Sequence, residues 1–422
     1  MRSALLICSM LGVFIAAWLS HPPHVLAPFA QASPPPSKVV TAPQYTSRFV
    51  SSQLTDFVHS SSVTALPGGD LMAVWFAGSR EGAADVQVRT ARFDARSGEW
   101  GAEHVLATRE STRDGTQRYI RKLGNPVIAL GPDKRLWMFY VSVSVGGWAT
   151  SAINVMVSDD LGANWSAPRQ LVTSPFFNIS TLVRAAPVFH ADGSIGLPVY
   201  HEFMGKFAEY LYLSADGAVI DKFRISRGKH SLQPTIVPQD GQRAVAMLRY
   251  AGETHHRVLA SRTEDAGRTW SEPYPLEPAN PNSSLAAVAT EDDGLLVALN
   301  DLQDGRFKLS LYGTNAQFSQ WRTVIELDQS PDPLGQPFSH EAYKEIIGEG
   351  FRASSGAKRL PLEQRFLSNL DYRVCKPRGC DFEYEYPYFS RSPDGTYHLV
   401  YSWNNTFIKH VSFNEAWLAE HL

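Results

Sequence analysis

This sequence of 422 residues has few cysteines, little net charge and no long apolar run beyond its N-terminus. Of its three cysteines, Cys8 lies near the start, and Cys375 and Cys380 lie close together in the body. That pair predicts a disulfide in an oxidising compartment, because the alternative, a metal half-site, lacks further cysteines or clustered histidines nearby. A formal net charge of −3 without a basic block argues against nucleic acid as a partner.

The N-terminal apolar run predicts export. Arg2 precedes the apolar stretch 4–18, and the small-residue pattern Ala30-Gln-Ala32 follows it. The run is shorter than the roughly 20 residues of a membrane-spanning helix. A cleaved signal peptide over residues 1–32 is the first interpretation, and an uncleaved N-terminal membrane anchor is the alternative. Both place the body in the periplasm or outside the cell. Residues 33–50 are typical of an extended linker, and 51–422 of one folded domain.

Turns are abundant, and six of them recur with the same surroundings. Each joins a Gly- or Asp-containing turn to a short apolar strand, which is a strong hairpin signal. The six segments are Pro67–Trp75, Pro132–Tyr140, Ala191–Pro198, Gln239–Met247, Asp292–Leu299 and Pro393–Tyr401. Aromatic residues make up 11% of the chain, which also favours an all-β protein.

Between these hairpins lie two octapeptides of the pattern S/T-x-D-x-G-x-x-W, Ser158–Trp165 and Thr263–Trp270, and three less regular copies. Six hairpins that alternate with such turns predict six four-stranded units, and so an all-β six-bladed propeller; a β-sandwich is the alternative. The last unit carries an insertion over about 328–382. It contains a helical pattern at Ser339–Ile347 and the cysteine pair.

Several charged residues end or follow predicted strands, where a propeller builds an axial site. Arg80, Glu81 and Asp85 follow the strand that begins at Leu71, and His59 precedes it. Arginine is suited to binding a carboxylate, and a carboxyl group on the same loop could act as a general acid or base. The alternatives are a solvated turn and a hydrogen-bonded core histidine.

Two further arginines, Arg249 and Arg306, end or open strands of later units, and each could instead be a surface salt-bridge partner. Gln233 and Asn125, both before proline, stand where strands begin; they line a pocket or cap loop backbone. In Glu383–Tyr388, Glu385 and Tyr386 lie on opposite faces of an extended segment. The tyrosines are either core packing or a source of a covalent nucleophile, as tyrosine is in sialidases.

These motifs resemble the sialidase superfamily of six-bladed propellers, and the octapeptides resemble its Asp boxes. The likeness covers about Phe57 to Phe413, and the shared strings are His59-Ser-Ser, Trp75–Asp85, Gln233-Pro, Asn280–Ser283 and Tyr384–Pro387. The resemblance implies a glycoside hydrolase with Asp85 as acid/base, Tyr386 as nucleophile and His59 as a possible replacement acid/base. Arg80, Arg249, Arg306, Glu81, Gln233, Asn125 and Glu385 would then bind the substrate.

Two positions depart from the family pattern. Ser62 aligns with the first carboxylate-binding arginine, and the glutamate that activates the nucleophile aligns near Pro238, where no carboxylate stands. These departures argue against sialic acid itself as the substrate. We therefore expect an exported exo-glycosidase, or a lyase, that acts on a glycan with an acidic sugar and needs no cofactor. The alternatives are a non-catalytic glycan-binding propeller and a structural propeller whose arginines do not converge.

Overall fold

The computed structural model describes residues 2–20, 24–30, 42–50, 57–174, 178–228, 230–355, 367, 375–376 and 378–422. Most of the chain forms six antiparallel sheets, and their innermost strands stand side by side in a closed ring. The predicted all-β, six-bladed propeller is therefore confirmed. Within the ranges given above, no helix is long and apolar enough to cross a membrane.

The strands of each blade run from the axis outwards, mostly in chain order. Blade 1 contains β2 (Phe57–Ala65), β3 (Leu71–Gly78), β4 (Gln87–Asp94), β5 (Glu99–Trp100) and β6 (His104–Ala107). Blade 2 contains β7 (Lys122–Leu130), β8 (Leu136–Val143), β9 (Ser151–Ser158) and β10 (Arg169–Gln170). Blade 3 contains β11 (Leu182–Val183), β12 (Val188–Phe189), β13 (Ile195–His201), β14 (Phe207–Leu213) and β15 (Val219–Arg224).

Blade 4 contains β16 (Ser231–Pro238), β17 (Ala244–Tyr250), β18 (Arg257–Thr263) and β19 (Tyr274–Ala279). Blade 5 contains β20 (Ala286–Ala289), β21 (Gly294–Leu299), β22 (Lys308–Asn315) and β23 (Trp321–Gln329). Blade 6 contains β26 (Tyr384–Arg391), β27 (Tyr397–Trp403), β28 (Phe407–Phe413) and, outermost, β1 (Tyr45–Phe49). The helices are α1 (Arg2–Ser20), α2 (Arg109–Thr116), α3 (His340–Ser355) and α4 (Glu415–Ala419).

The N-terminal part of the chain completes the last blade by supplying its outermost strand. Strand β1 pairs antiparallel with β28, from Tyr45 opposite Phe413 to Phe49 opposite Lys409. An unpaired outer strand would expose its backbone donors and acceptors, and β1 satisfies those of β28. The linker predicted over 33–50 is therefore wrong in its second half, since 45–49 is a strand of the last blade. Residues 33–41 of that prediction lie outside the described residues.

The two octapeptides form turns at the end of the propeller opposite the starts of the innermost strands. In the second, the Asp265 carboxylate accepts hydrogen bonds from the Thr263 hydroxyl and the Thr269 amide, both at 2.8 Å. Gly267 has φ +99° and lies so close to Tyr210 that an added Cβ would be 2.7 Å from the ring. The adjacent Ala266 amide donates a hydrogen bond to the backbone carbonyl of Gln242, in the β16–β17 turn. The octapeptides therefore tie neighbouring turns together and carry no chemistry of the axial end.

The described part of the predicted insertion packs on the outside of blade 6. Helix α3 contacts β1, and its Tyr343 and Ile347 are fully buried in the same apolar cluster as β27 and β28. A two-stranded sheet, β24 (Cys375–Lys376) with β25 (Gly379–Cys380), follows, and a disulfide joins its two cysteines. The described part of the insertion thus packs against the outer side of blade 6, next to β1.

A buried histidine pair links the last blade to the first. His398 bonds the Ser392 hydroxyl and His410, and His410 accepts a hydrogen bond from the Trp100 indole at 3.2 Å. Burial lowers the pKa of His398 to about 4, against the opposing charge of Asp394. The pKa of His410 is lowered further, by burial and by the neighbouring His398 and Arg48. Both imidazoles are therefore neutral at physiological pH.

We expect this pair to make the fold sensitive to acid. Between pH 6.5 and about 4 the unfolded chain protonates these histidines and the folded chain does not, so stability falls as the pH falls. The loss is at most about 1.4 kcal/mol per pH unit for each histidine. Thermal melts of His398→Gln should show a shallower decline over this range, whereas His104→Gln, at an exposed position, should follow the wild type. Equal slopes for all three proteins would contradict the assignment.

Candidate functional site

The innermost strands of four blades carry the same irregularity near their first residues. At each site two residues oppose one on the neighbouring strand, and the first of the two has a left-handed backbone. These four residues are Ser60 (φ 53°), Asn125 (φ 45°), Gln233 (φ 48°) and Tyr386 (φ 53°). Such a bulge bends the strand and redirects its side chains. Because the bulges lie at one level, the side chains converge on the axis.

A chain of hydrogen bonds runs round the axis from blade 2 to blade 4. The side-chain amides of Asn125 and Gln233 donate to the hydroxyl of Tyr200, at 3.2 and 3.4 Å. The Gln233 carbonyl oxygen in turn accepts from Nη1 of Arg249 at 3.3 Å. Both amides are therefore oriented by partners, and Gln233 is fixed as a neighbour of Arg249.

The chain continues from blade 4 through blades 5 and 6 to blade 1. Arg249 Nε donates to Oδ1 of Asn282 at 2.7 Å, and Arg306 Nη2 donates to the Asn282 backbone carbonyl at 3.2 Å. Arg306 forms an ion pair with Glu385, whose other oxygen lies 3.6 Å from His59 Nδ1. Seven of the sequence-predicted site residues thus belong to one axial cluster: His59, Asn125, Gln233, Arg249, Arg306, Glu385 and Tyr386.

The electrostatics of the cluster keep His59 neutral and Glu385 ionised. Burial lowers the pKa of His59, and the opposing effect of Glu385 does not overcome it. Burial alone would raise the pKa of Glu385, but the coupling to His59 and the charge and hydrogen bond of Arg306 outweigh burial and lower it. His59 Nδ1 is buried without a hydrogen-bond partner among the described residues. A neutral imidazole with a free nitrogen can accept a proton.

Tyr386 stands between His59 and a buried arginine that we did not predict. Its ring meets the His59 ring edge-on, with the centroids 4.4 Å apart. On the other side, the guanidinium carbon of Arg184 lies 5.0 Å from the Tyr386 ring centroid. Arg184 also donates to the backbone carbonyls of Tyr386 and Pro387. These contacts hold the strained backbone at Tyr386 and orient its side chain.

Arg184 is an unusual buried charge. Its side chain is 2% exposed, and its Nε and Nη1 have no hydrogen-bond partner within the described chain. Burial lowers its pKa to about 10, so it remains charged at neutral pH. An unpaired buried cation is costly, which makes an anion in the axial pocket favourable. No sequence pattern marked Arg184, and only the structure shows that it begins the irregular stretch between β11 and β12, at the level where four other blades carry their bulges.

Glu202 is a second residue missed in the sequence. It follows β13, whose Tyr200 belongs to the axial cluster, just as Arg249 lies near the end of β17. Burial raises its pKa, and the nearby Arg249 only partly offsets this effect. A comparison of the ends of the second strands of units 3 and 4 would have found it. Glu202 is therefore a carboxyl group that can hold a proton closer to neutral pH.

The predicted loop residues lie on the rim. Arg80, Glu81 and Asp85 are exposed on the segment between β3 and β4. The Asp85 carboxylate accepts hydrogen bonds from the Ser79 amide at 3.0 Å and the Ser79 hydroxyl at 2.9 Å, which closes the loop. Glu81 lies close enough to raise the pKa of His59, whereas Arg80 does not join the axial chain of contacts. Neither Arg80 nor Asp85 is brought against Tyr386.

The two positions that depart from the family pattern, Ser62 and Pro238, lie away from the axial site. The Ser62 hydroxyl donates to Pro126 O at 3.1 Å and accepts from the Ile128 amide, so it lies between blades 1 and 2. Pro238 ends β16, at the far end from the site. Neither Ser62 nor Pro238 therefore faces the axial site. The bulges show that the axial residues of these blades are His59 and Gln233.

Comparisons with known proteins agree with this architecture. Residues 69–399 match the family model described as BNR repeat-like domain. The Hadza microbial sialidase Hz136 aligns with a TM-score of 0.60 at 14% identity, over 85% of this chain and 66% of that protein. The intramolecular trans-sialidase from Ruminococcus gnavus aligns with a TM-score of 0.58 at 14% identity, over 86% and 96%.

A protein of unknown function from Dyadobacter fermentans has a TM-score of 0.61 at 11% identity, over 88% of this chain and 98% of that one. No curated protein sequence matched. At these identities the structural likeness shows the fold alone. The family match, however, covers most of the chain and includes both octapeptides. This chain therefore belongs to the BNR repeat-like domain family.

Proposed function

We propose that this protein is an exported enzyme that acts on a glycan containing an acidic sugar. One observation carries the proposal. Three arginines of three different blades, Arg184, Arg249 and Arg306, meet a tyrosine and a neutral histidine in one axial pocket. Export is supported by the N-terminal apolar run and by the disulfide, which oxidising compartments favour.

The proposed recognition of an anion rests on two of the three arginines, which form no ion pair with a carboxylate among the described residues. Arg306 is neutralised by Glu385. Arg249 makes hydrogen bonds only to neutral groups among the described residues, and Arg184 has no carboxylate partner there. The pocket therefore keeps unneutralised positive charge, which a sugar carboxylate would complement with charge-assisted hydrogen bonds.

The proposed reaction is hydrolysis through a covalent intermediate in which the sugar is bonded to Tyr386 Oη. His59 takes the phenolic proton as Tyr386 Oη attacks the anomeric carbon, and the leaving oxygen then takes this proton from His59. In the second half, His59 accepts a proton from water, whose oxygen attacks the anomeric carbon, and Tyr386 leaves and regains its proton. Glu385 holds His59 in place and stabilises its charged form. This mechanism needs no separate carboxylate as the acid/base. It is therefore consistent with the position of Asp85, which is bonded to Ser79 on the rim.

A lyase reaction is the second candidate, because the same groups suit it. Arginines that bind the sugar carboxylate make the C–H bond on the adjacent carbon more acidic. Neutral His59 could accept that proton, and Tyr386 could protonate the leaving oxygen. Products distinguish the two reactions. Hydrolysis in water labelled with heavy oxygen puts one labelled oxygen into the released sugar, whereas elimination incorporates none and gives an unsaturated, ultraviolet-absorbing product.

A panel of sialosides, uronides and sulfated oligosaccharides tests the proposal directly. We expect turnover of at least one carboxylate-bearing glycan and an at least roughly 30-fold lower kcat/KM for its methyl ester, which keeps the shape and lacks the charge. A glycan array run in parallel separates the alternative of a binding protein. Binding without release of product would favour that alternative, and equal rates on acid and ester would remove the role of the arginines.

A further inference from the structure

The segment after the N-terminal helix is part of the propeller. Leu26 and Phe29 are only 5% and 1% exposed, and they join the apolar cluster between blades 3 and 4 that contains Tyr210. Just before Leu26, Val25 points outwards and is 88% exposed. We name residues 24–30 the N-terminal latch. Leu26 and Phe29 are buried as completely as the side chains of the blade interiors.

Backbone hydrogen bonds hold the latch on both sides. The Phe29 amide donates to Gly241 O, the Ala30 amide donates to Phe189 O, and the Ala191 amide donates to Pro28 O, each at 2.8 Å. The ring of His190 adds contacts to the Ala27 carbonyl at 2.6 Å and to the Tyr210 hydroxyl at 2.7 Å. The latch therefore bridges the β12–β13 and β16–β17 turns of adjacent blades.

Cleavage after Ala32, the position predicted from the sequence, would remove this segment. It would expose apolar surface of Tyr210 and Val188 and would leave two turns without their backbone partners. Both the burial of large apolar side chains and these hydrogen bonds stabilise the folded chain. We propose that the latch stays in the mature protein, and that any removal of the export segment occurs before His24.

The position of the latch also sets an orientation. The turns that it bridges lie at the end of the propeller opposite the bulges that form the axial site. The latch, beginning at His24, thus lies on the far face. If helix α1 is retained as a tether, the candidate site faces away from the surface that holds the helix.

Mature protein from an exporting host tests the proposal by intact mass and N-terminal sequencing. We expect a first residue at or before His24, and a first residue at Ser33 would overturn the proposal. In parallel, chains that begin at His24 and at Ser33 are expressed without export. We expect the shorter chain either not to fold or to melt roughly 5–10 °C lower.

Two point variants keep the proposal testable if the shorter chain does not fold. Phe29→Ala should lower the melting temperature of the longer chain by several degrees, and Val25→Ala, the matched exposed position, should leave it unchanged. Equal melting temperatures for Phe29→Ala and the wild type would show that the latch contributes nothing and would overturn the proposal.

Discussion

Tyr386→Phe is expected to lower kcat roughly 10²–10⁴-fold on any acidic glycan that the protein processes. The substitution removes one oxygen and keeps the ring, so the edge contact with His59 and the contact with Arg184 both remain. The left-handed backbone at this residue is also unchanged, because the Arg184 hydrogen bonds go to main-chain carbonyls. The loss therefore measures the hydroxyl group alone. Steady-state kinetics on the best substrate of the panel gives the result.

The neighbouring tyrosine is the matched control for this experiment. The Tyr388 hydroxyl donates to the Ile128 carbonyl in the buried interior, so Tyr388→Phe should cost about 1 kcal/mol of stability and little activity. His59→Gln should lower kcat as strongly as Tyr386→Phe if the histidine moves the tyrosyl proton. Full activity of Tyr386→Phe would exclude the tyrosyl mechanism, whatever the other variants do.

Arg249→Gln is expected to raise KM by a factor between roughly 30 and several thousand, which corresponds to about 2–5 kcal/mol. Arg249 forms no direct ion pair among the described residues, so its removal breaks no salt bridge and takes only longer-range positive charge from Glu202 and Glu385. The melting temperature should therefore change little. Kinetics with the acidic substrate and with its methyl ester checks the assignment, because the ester should be insensitive to the substitution.

Arg306 and Arg243 provide the contrasts. Arg306→Gln leaves Glu385 buried without its strongest partner, so it should lose both activity and stability. Arg243→Gln removes an exposed arginine of the β16–β17 turn, at the far end from the site, and should change neither KM nor kcat. If Arg249→Gln and Arg243→Gln gave the same KM, an anion site at Arg249 would be excluded.

Local patterns were enough to predict the blades and part of the site. Hairpin signals place each turn, because Gly and Asp are needed within the turn itself, and repeats of such turns imply repeated sheets. Gln233 and Asn125 were found because each precedes a proline at the start of an inner strand. In the structure these are the bulges, where the strand makes no regular ladder bond and proline costs little.

Contacts between distant segments explain what was missed. Arg184 looked like any strand residue, since its partners are carbonyls some 200 positions later in the chain. The strand at 45–49 and the latch at 24–30 were assigned to a linker and an export segment for the same reason. Composition alone favoured a linker and an export segment. Only the pairing of 45–49 with the edge of blade 6, and the bonds of 24–30 to turns of blades 3 and 4, show that both segments are part of the fold.

By itself the sequence determined the repeating β architecture, the family and the types of residue that surround the axis. Only the tertiary structure decided which of them meet. Arg249 and Arg306 are joined through Asn282, Tyr386 is held between His59 and Arg184, and Arg80 and Asp85 remain on the rim. The physical reason is that periodicity fixes the face of a strand on which a side chain lies, whereas six inner strands from all parts of the chain, four of them bulged, must close into a ring before the axial neighbours exist.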